Sequence, residues 1–208
     1  MKFSIKHSTR WSIFISVFTF FLASIFSVAA TSVLEGISWG LGVVVVLIII
    51  SVGIAADIMG LASAAAKELP FHAMASEKVK GSKHAIKIVR NADRFASFFN
   101  DVVGDVSGII SGAAGALVVL KLVSNTHAET AVIQTVVSVV FSGLVSALTV
   151  GGKAMGKSFA IHYATEIVLF MGKILFMMEH RLGIRIFNSK KTKTKGKRGN
   201  KRAARPSK

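Results

Sequence analysis

Three aspartates and an asparagine stand in segments otherwise too apolar for charge: Asp57 in GIAADIMGLASAAA, and Asn100, Asp101 and Asp105 in FFNDVVGDVSGII. An ionisable group at membrane depth is costly, so it faces water, another charge or an ion, and a functional site is the default reading. Carboxylate and amide oxygens are the hard donors that Mg²⁺ or Ca²⁺ prefers. The expected metal ligands are therefore Asp57, Asn100, Asp101 and Asp105. On an α-helix, offsets of four, seven and eleven residues return to one side, so Asp101 and Asp105 are predicted to share a bundle-facing stripe with Gly108 and Gly112. The glycine-notched helix, with Gly104, Gly108, Gly112 and Ala116, is expected to admit another helix closely. For Asp101 the competing role is a headgroup-level pairing with Arg94 or a nearby lysine.

Two cations reach the same depth. The run TVGGKAMGKS carries Lys153 and Lys157, the expected counter-charges to the acids. Upstream on the same segment, Thr135, Ser138, Ser142, Ser146 and Thr149 form a helical stripe. Ser142 and Ser146 are expected to line a polar path, with interhelical hydrogen bonding as the alternative role. Other chemistries find little support. His7, His72, His84, His127, His162 and His180 are scattered, and no Ser/His/Asp arrangement stands out. Nucleotide binding at GGKAMGKS is not expected, because the run is read as lacking the phosphate-loop spacing and no strand precedes it. The chain has no cysteine, which excludes thiolate catalysis, disulfides and cysteine metal sites. The chain is not expected to be an enzyme.

The elements that must position these residues follow from apolar length. A bilayer core about 30 Å thick needs roughly 20 apolar residues in a helix, and the stretches 11–33, 38–60, 99–123 and 131–150 qualify. With 52% hydrophobic residues and only two prolines, the reading is an all-α polytopic membrane protein, not a soluble one. About four transmembrane helices are expected, plus juxtamembrane amphipathic helices. The first stretch exceeds the apolar core of a signal peptide and is read as an uncleaved helix; cleavage near Ala29-Ala30-Thr31 is the alternative. Residues 157–178 have an apolar side interrupted by Lys157, His162, Glu166 and Lys173, predicting an amphipathic helix in the inner interface, with a fifth span as the competing reading. Residues 67–94 read as one or two juxtamembrane helices broken near Pro70 and Gly81.

Orientation comes from Lys and Arg in the short loops. The loop 67–94 holds seven, the loop 35–40 none and the loop 121–130 one. Both termini are thus expected on the cytoplasmic side of the inner membrane. The formal net charge is +16, and residues 181–208 hold twelve of the 26 Lys and Arg with no acid. This tail reads as disordered, suited to anionic lipid at about 1 kcal/mol per basic residue. Nucleic acid is the less favoured partner for the same charge.

The order of these pieces resembles the transmembrane domain of the CorB/CorC (cyclin-M-like) magnesium transporters over roughly residues 48–177. The clearest part is the inner loop, LPFHAMASEKVKGSKHAIKIVRNADRFASFF, where Gly81, Lys83, Ala85, Ile88, Asp93 and Arg94 match the family pattern. The resemblance implies a homodimer with an inward-open acidic cavity that holds Mg²⁺ through serine, asparagine, glutamate and backbone oxygens. Here Met59, Gly60, Leu61 and Ala62 stand where the family has Ser-Glu-Thr-Ala, with Asp57 just before them. Asn100, Asp101, Gly104 and Asp105 correspond, at shifted spacing, to the family's Gly-Asn-x-x-x-Asn turn. Gly152, Lys153, Ala154, Met155, Gly156 and Lys157 replace Gly-Glu-x-x-Pro-Lys, so an ammonium stands in the glutamate's place. No CBS-pair module follows within these 208 residues, and regulation by ATP-Mg is not expected.

The expected organisation is an extra amino-terminal helix (1–36), a CorB/CorC-like domain (37–178) with its inner loop at 67–94, and a basic tail (179–208). The expected function is transport or homeostasis of a divalent cation, Mg²⁺ first. The alternative is a non-transporting scaffold whose acids pair with Lys153 and Lys157 and whose tail binds lipid, RNA or a partner protein.

Overall fold

The computed structural model describes residues 5–125 and 131–182; the lipid-binding tail expected beyond them lies outside the described residues. Eight α-helices and one π-helical segment make up the described chain, with no strand among the described residues. They are α1 (Ile5–Glu35), α2 (Trp39–Ala65), α3 (Leu69–Ser76), α4 (Ser82–Arg90), α5 (Ala92–Ser97), the π segment Phe98–Gly104, α6 (Asp105–Asn125), α7 (Ala131–His162) and α8 (Ala164–Leu182). Four helical runs, Ser12–Glu35, Trp39–Ala65, Ala92–Asn125 and Val132–His162, are long and apolar enough to cross a membrane. Their outward side chains are large and apolar, such as Phe21, Ile48, Ile109 and Val139, the signature of helices that shed side chains into lipid instead of water. The chain is a helical membrane protein.

Helix α2 is the axis of the bundle, and glycines set how closely its neighbours approach. A methyl group at Gly42 would overlap Val118, one at Gly53 would press on Ser107, and one at Gly60 would overlap Asn100. In the other direction, a methyl group at Gly104 would overlap Asp57. Residue numbers that rise on one helix as they fall on the other make α2 antiparallel to the π segment and α6. On the opposite side, methyl groups at Gly152 and Gly156 of α7 would overlap Ile54 and Ile58, so α7 runs parallel to α2. Small residues at contacts are how membrane helices gain van der Waals packing where lipid removes the hydrophobic drive.

Two apolar cores divide the bundle. One gathers Leu34, Val46, Ile50, Ala114 and Val118. At the same end, the Lys121 ammonium donates to the main-chain carbonyls of Leu34, Glu35 (3.0 Å) and Ile37 (2.8 Å), tying the α1–α2 turn to α6. The other core joins Ala62, Phe71, Ala85, Ile88, Ala160, Val168 and Met171, so that α3, α4 and α8 close over the far ends of α2 and α7.

Breaks in this second region follow local chemistry. Pro70 sits in the first turn of α3, where its missing N–H costs nothing. Gly81, at φ 87°, turns the chain into α4 in a conformation that side-chain-bearing residues rarely adopt. A methyl group on it would also meet the backbone of Lys173 in α8. Glu68 clamps the loop by accepting from His72 Nε2 at 2.7 Å and Arg90 Nε at 2.7 Å. The hydrogen bond from His72, then that from Arg90, holds the Glu68 carboxyl below its ordinary value.

The boundaries differ from expectation at two places. Residues 157–162 belong to α7, which runs unbroken for 32 residues, about 48 Å and longer than a bilayer core. The amphipathic helix is α8, which begins only at Ala164, packs on α4 and is not among the four candidate spans.

Candidate functional site

The acids and lysines singled out in the sequence do converge. Asp57, Asn100, Asp101, Asp105, Lys153 and Lys157, with Leu61, line one cleft of ≈ 220 Å³ where α2, the π segment, the start of α6 and α7 meet. Asp57 is there because α2 presents it to Gly104, whose missing side chain leaves the space its carboxylate fills. Lys153 is there because Gly152 and Gly156 bring α7 against Ile54 and Ile58 on α2.

The electrostatics are dominated by Lys153. Its Nζ lies 2.9 Å from Asp57 Oδ2 and 3.7 Å from Asp105 Oδ1. The Asp57 side chain is 11% exposed and that of Asp105 67%. The first contact is thus a close, mostly desolvated ion pair and the second a loose one at the solvent-facing mouth. Asp101 and Lys157 border the same cleft without an ion pair within 4 Å among the described residues. Formally three carboxylates face two ammonium groups, leaving the cleft one negative charge. The Asn100 Oδ1 atom is buried with no hydrogen-bond partner among the described residues and lies against Gly60.

Several expectations are corrected by this geometry. Asp101 and Asp105 are exposed, and the acid that faces the bundle is Asp57. The buried stripe of this run is Val102, Val106, Ile110, Ala114 and Val118, so Asp101 and Asp105, each one position ahead of it, share an exposed face with Gly112. Among the described residues Gly108 and Gly112 open onto empty space instead of a partner helix, and only Gly104 of that series makes a tight contact. Of the acids for which Lys153 is the expected counter-charge, Asp57 lies nearest it.

Ser142 and Ser146 are not brought to the cleft. Both are exposed on α7, about 16 and 10 Å up the helix from Lys153. The neighbouring Ser138 and Thr149 hydroxyls donate to carbonyls of their own helix, Gln134 at 2.9 Å and Val145 at 2.8 Å, a local bond that needs no second helix.

Gly151, Gly156, Lys157 and Ser158 do fall at the spacing of a phosphate-binding loop, but they lie inside α7. Their amides serve the helix and form no loop to cradle phosphate. Among the described residues, no three His, Cys, Asp or Glu side chains cluster closely enough to hold a metal by themselves. Any cation in the cleft would share it with Asn100, water and the Lys153 ammonium.

Leu61, one turn beyond Asp57, is the cleft residue that sequence reasoning did not single out, since an apolar side chain in an apolar run carries no signal. No family model, curated protein or solved structure matches the chain. The fold and site define a helical membrane protein with an acidic cleft closed by its own lysine.

Proposed function

We propose that this is a divalent-cation transport or homeostasis protein of CorB/CorC-like build, with Mg²⁺ as the cation handled at the inner side of the membrane. The observation that carries the reading is the convergence of Asp57, Asn100, Asp101 and Asp105 on one cleft beside a π segment, a helical irregularity frequent at functional sites. Mg²⁺ keeps much of its water and binds through one or two carboxylates. The exposed Asp101 and Asp105 suit a hydrated ion at the mouth. Lys153 then acts as a tethered counter-cation: it releases Asp105 when a divalent ion enters and returns when the ion leaves. On this reading the cell membrane, cytoplasmic termini and a homodimer follow from the resemblance and the loop charges.

One observation favours a second reading. The 2.9 Å contact between Lys153 and Asp57 already neutralises the most buried acid, as a non-transporting scaffold requires. A charge swap separates the two. In Asp57→Lys/Lys153→Asp a structural pair re-forms and thermal stability returns while Mg²⁺ makes no difference in either protein. A cation site instead loses its Mg²⁺ response in the swap although the fold recovers.

A further inference from the structure

A second cavity, ≈ 270 Å³ in volume, lies between the α3–α4 turn and α8, apart from the acidic cleft. Lys78, Lys80 and Lys83 line it, together with His84 and Phe176. Among the described residues none of the three ammonium groups has a carboxylate within 4 Å, although Glu77 is adjacent in sequence. The nearest acid on the facing helix, Glu179, is engaged by His84, with Nε2 to Oε2 at 2.6 Å. Three like charges gathered around one concavity repel one another unless an anion enters.

The backbone adds donors of the same sign. The amide N–H groups of Lys80, Gly81 and Lys83 have no hydrogen-bond acceptor among the described residues, and Gly81 brings no side-chain cap to α4. Free amides at a turn followed by a helix carry partial positive charge. The wall is fixed: a methyl group at Gly172 of α8 would overlap the Gly81 carbonyl, so the turn sits directly on α8. The His84 ring packs edge-on against Phe176 at 5.9 Å, closing the apolar side.

We infer that this lysine-lined cavity binds a phosphate group. Lysine is a compact point charge suited to phosphate oxygens, and the volume admits a phosphoryl group with the first atoms of its carrier. That carrier is a membrane phospholipid headgroup or a soluble phosphate. The lipid source, but not the site, rests on the proposed placement of this loop at the inner membrane face.

The test uses the full-length protein in phosphatidylcholine nanodiscs without added divalent cation, so its outcome is independent of the acidic cleft. Thermal midpoints are read against inorganic phosphate, and again in nanodiscs containing phosphatidic acid. The variants are Lys78→Gln/Lys80→Gln/Lys83→Gln, the arginine version of the same triple, and Lys190→Gln/Lys191→Gln in the tail. Stabilisation by either probe is expected in wild type, in the arginine variant and in the tail variant. The glutamine triple should need about tenfold or more of the same probe, since the ammonium groups that meet the phosphate oxygens are gone. A response to inorganic phosphate assigns a soluble carrier; a response to phosphatidic acid alone assigns a headgroup. The inference is overturned if neither probe stabilises wild type, or if the glutamine triple responds like wild type. The three lysines are solvent-exposed, and an unchanged midpoint without phosphate verifies that the triple folds.

Discussion

Asp57 and Lys153 carry the strongest residue-level consequence. Removing one member of a fully buried ion pair costs about 3–5 kcal/mol, because the other charge is left uncompensated. Lys153 is 23% exposed and keeps Asp105 at 3.7 Å, so Asp57→Asn is expected to cost less, about 2 kcal/mol. Asp57→Leu/Lys153→Met should be more stable than Asp57→Asn, as read by the denaturation midpoint in detergent; a double variant less stable than the single would show that the pair is not the unit. The cleft acids were legible in the sequence because a carboxylate in an apolar run is anomalous in any fold. Their partners were not, since apolar residues surround the run 98–125 and leave no sequence signal of which face packs on α2 and α7. Glu68 gives a second prediction. Its folded carboxyl ionises below its unfolded value, so its stabilising effect is present above the unfolded value and lost as pH falls through the folded one. Protection factors for amide exchange in α3, which correct for the intrinsic slowing of exchange in acid, should therefore fall on acidification in wild type, and this fall should be absent in Glu68→Gln.

Between elements, the glycines decide which helices can meet. Gly104→Ala places a methyl group in the space of the Asp57 carboxylate, whereas Gly108→Ala meets nothing within 4 Å. The first is expected to lower stability by about 1–3 kcal/mol, the range for overpacking, and to weaken the Asp57–Lys153 contact. The second should be silent in the monomer. Equal midpoints for the two would refute the close approach of α2 to the π segment at Gly104. Apolar length made the four spans readable, since each helix crossing lipid must satisfy its own backbone over about 20 residues. The continuation of α7 to His162 was not readable, because Gly151, Gly152, Lys153 and Lys157 interrupt the apolar pattern while the helix persists against α2. The glycine repeat was legible as a motif, but the face it takes was not, because apolar residues lie all round the helix.

Across the whole molecule, the alternating helix directions and the basic loop between α2 and α5 define two ends. The absence of cysteine makes single-cysteine labelling clean. With an impermeant maleimide on intact cells, Ser124→Cys is expected to react, and Glu77→Cys only after permeabilisation; the reverse pattern would invert the proposed topology. At the end of the bundle that carries the basic loop, the acidic cleft and the lysine-lined cavity are separate, so the cleft can be tested alone. The decisive measurement is the thermal midpoint of the purified protein against Mg²⁺, with Ca²⁺ and Na⁺ as comparisons, in wild type, Lys153→Met and Asp101→Asn/Asp105→Asn. Ligand that binds the native state raises the midpoint with concentration. A cation cleft held by a tethered lysine predicts a selective Mg²⁺ rise in wild type, shifted to lower Mg²⁺ in Lys153→Met and lost in the double aspartate variant. A midpoint indifferent to Mg²⁺ in wild type and in Lys153→Met would contradict it and leave the Asp57–Lys153 pair as part of a scaffold.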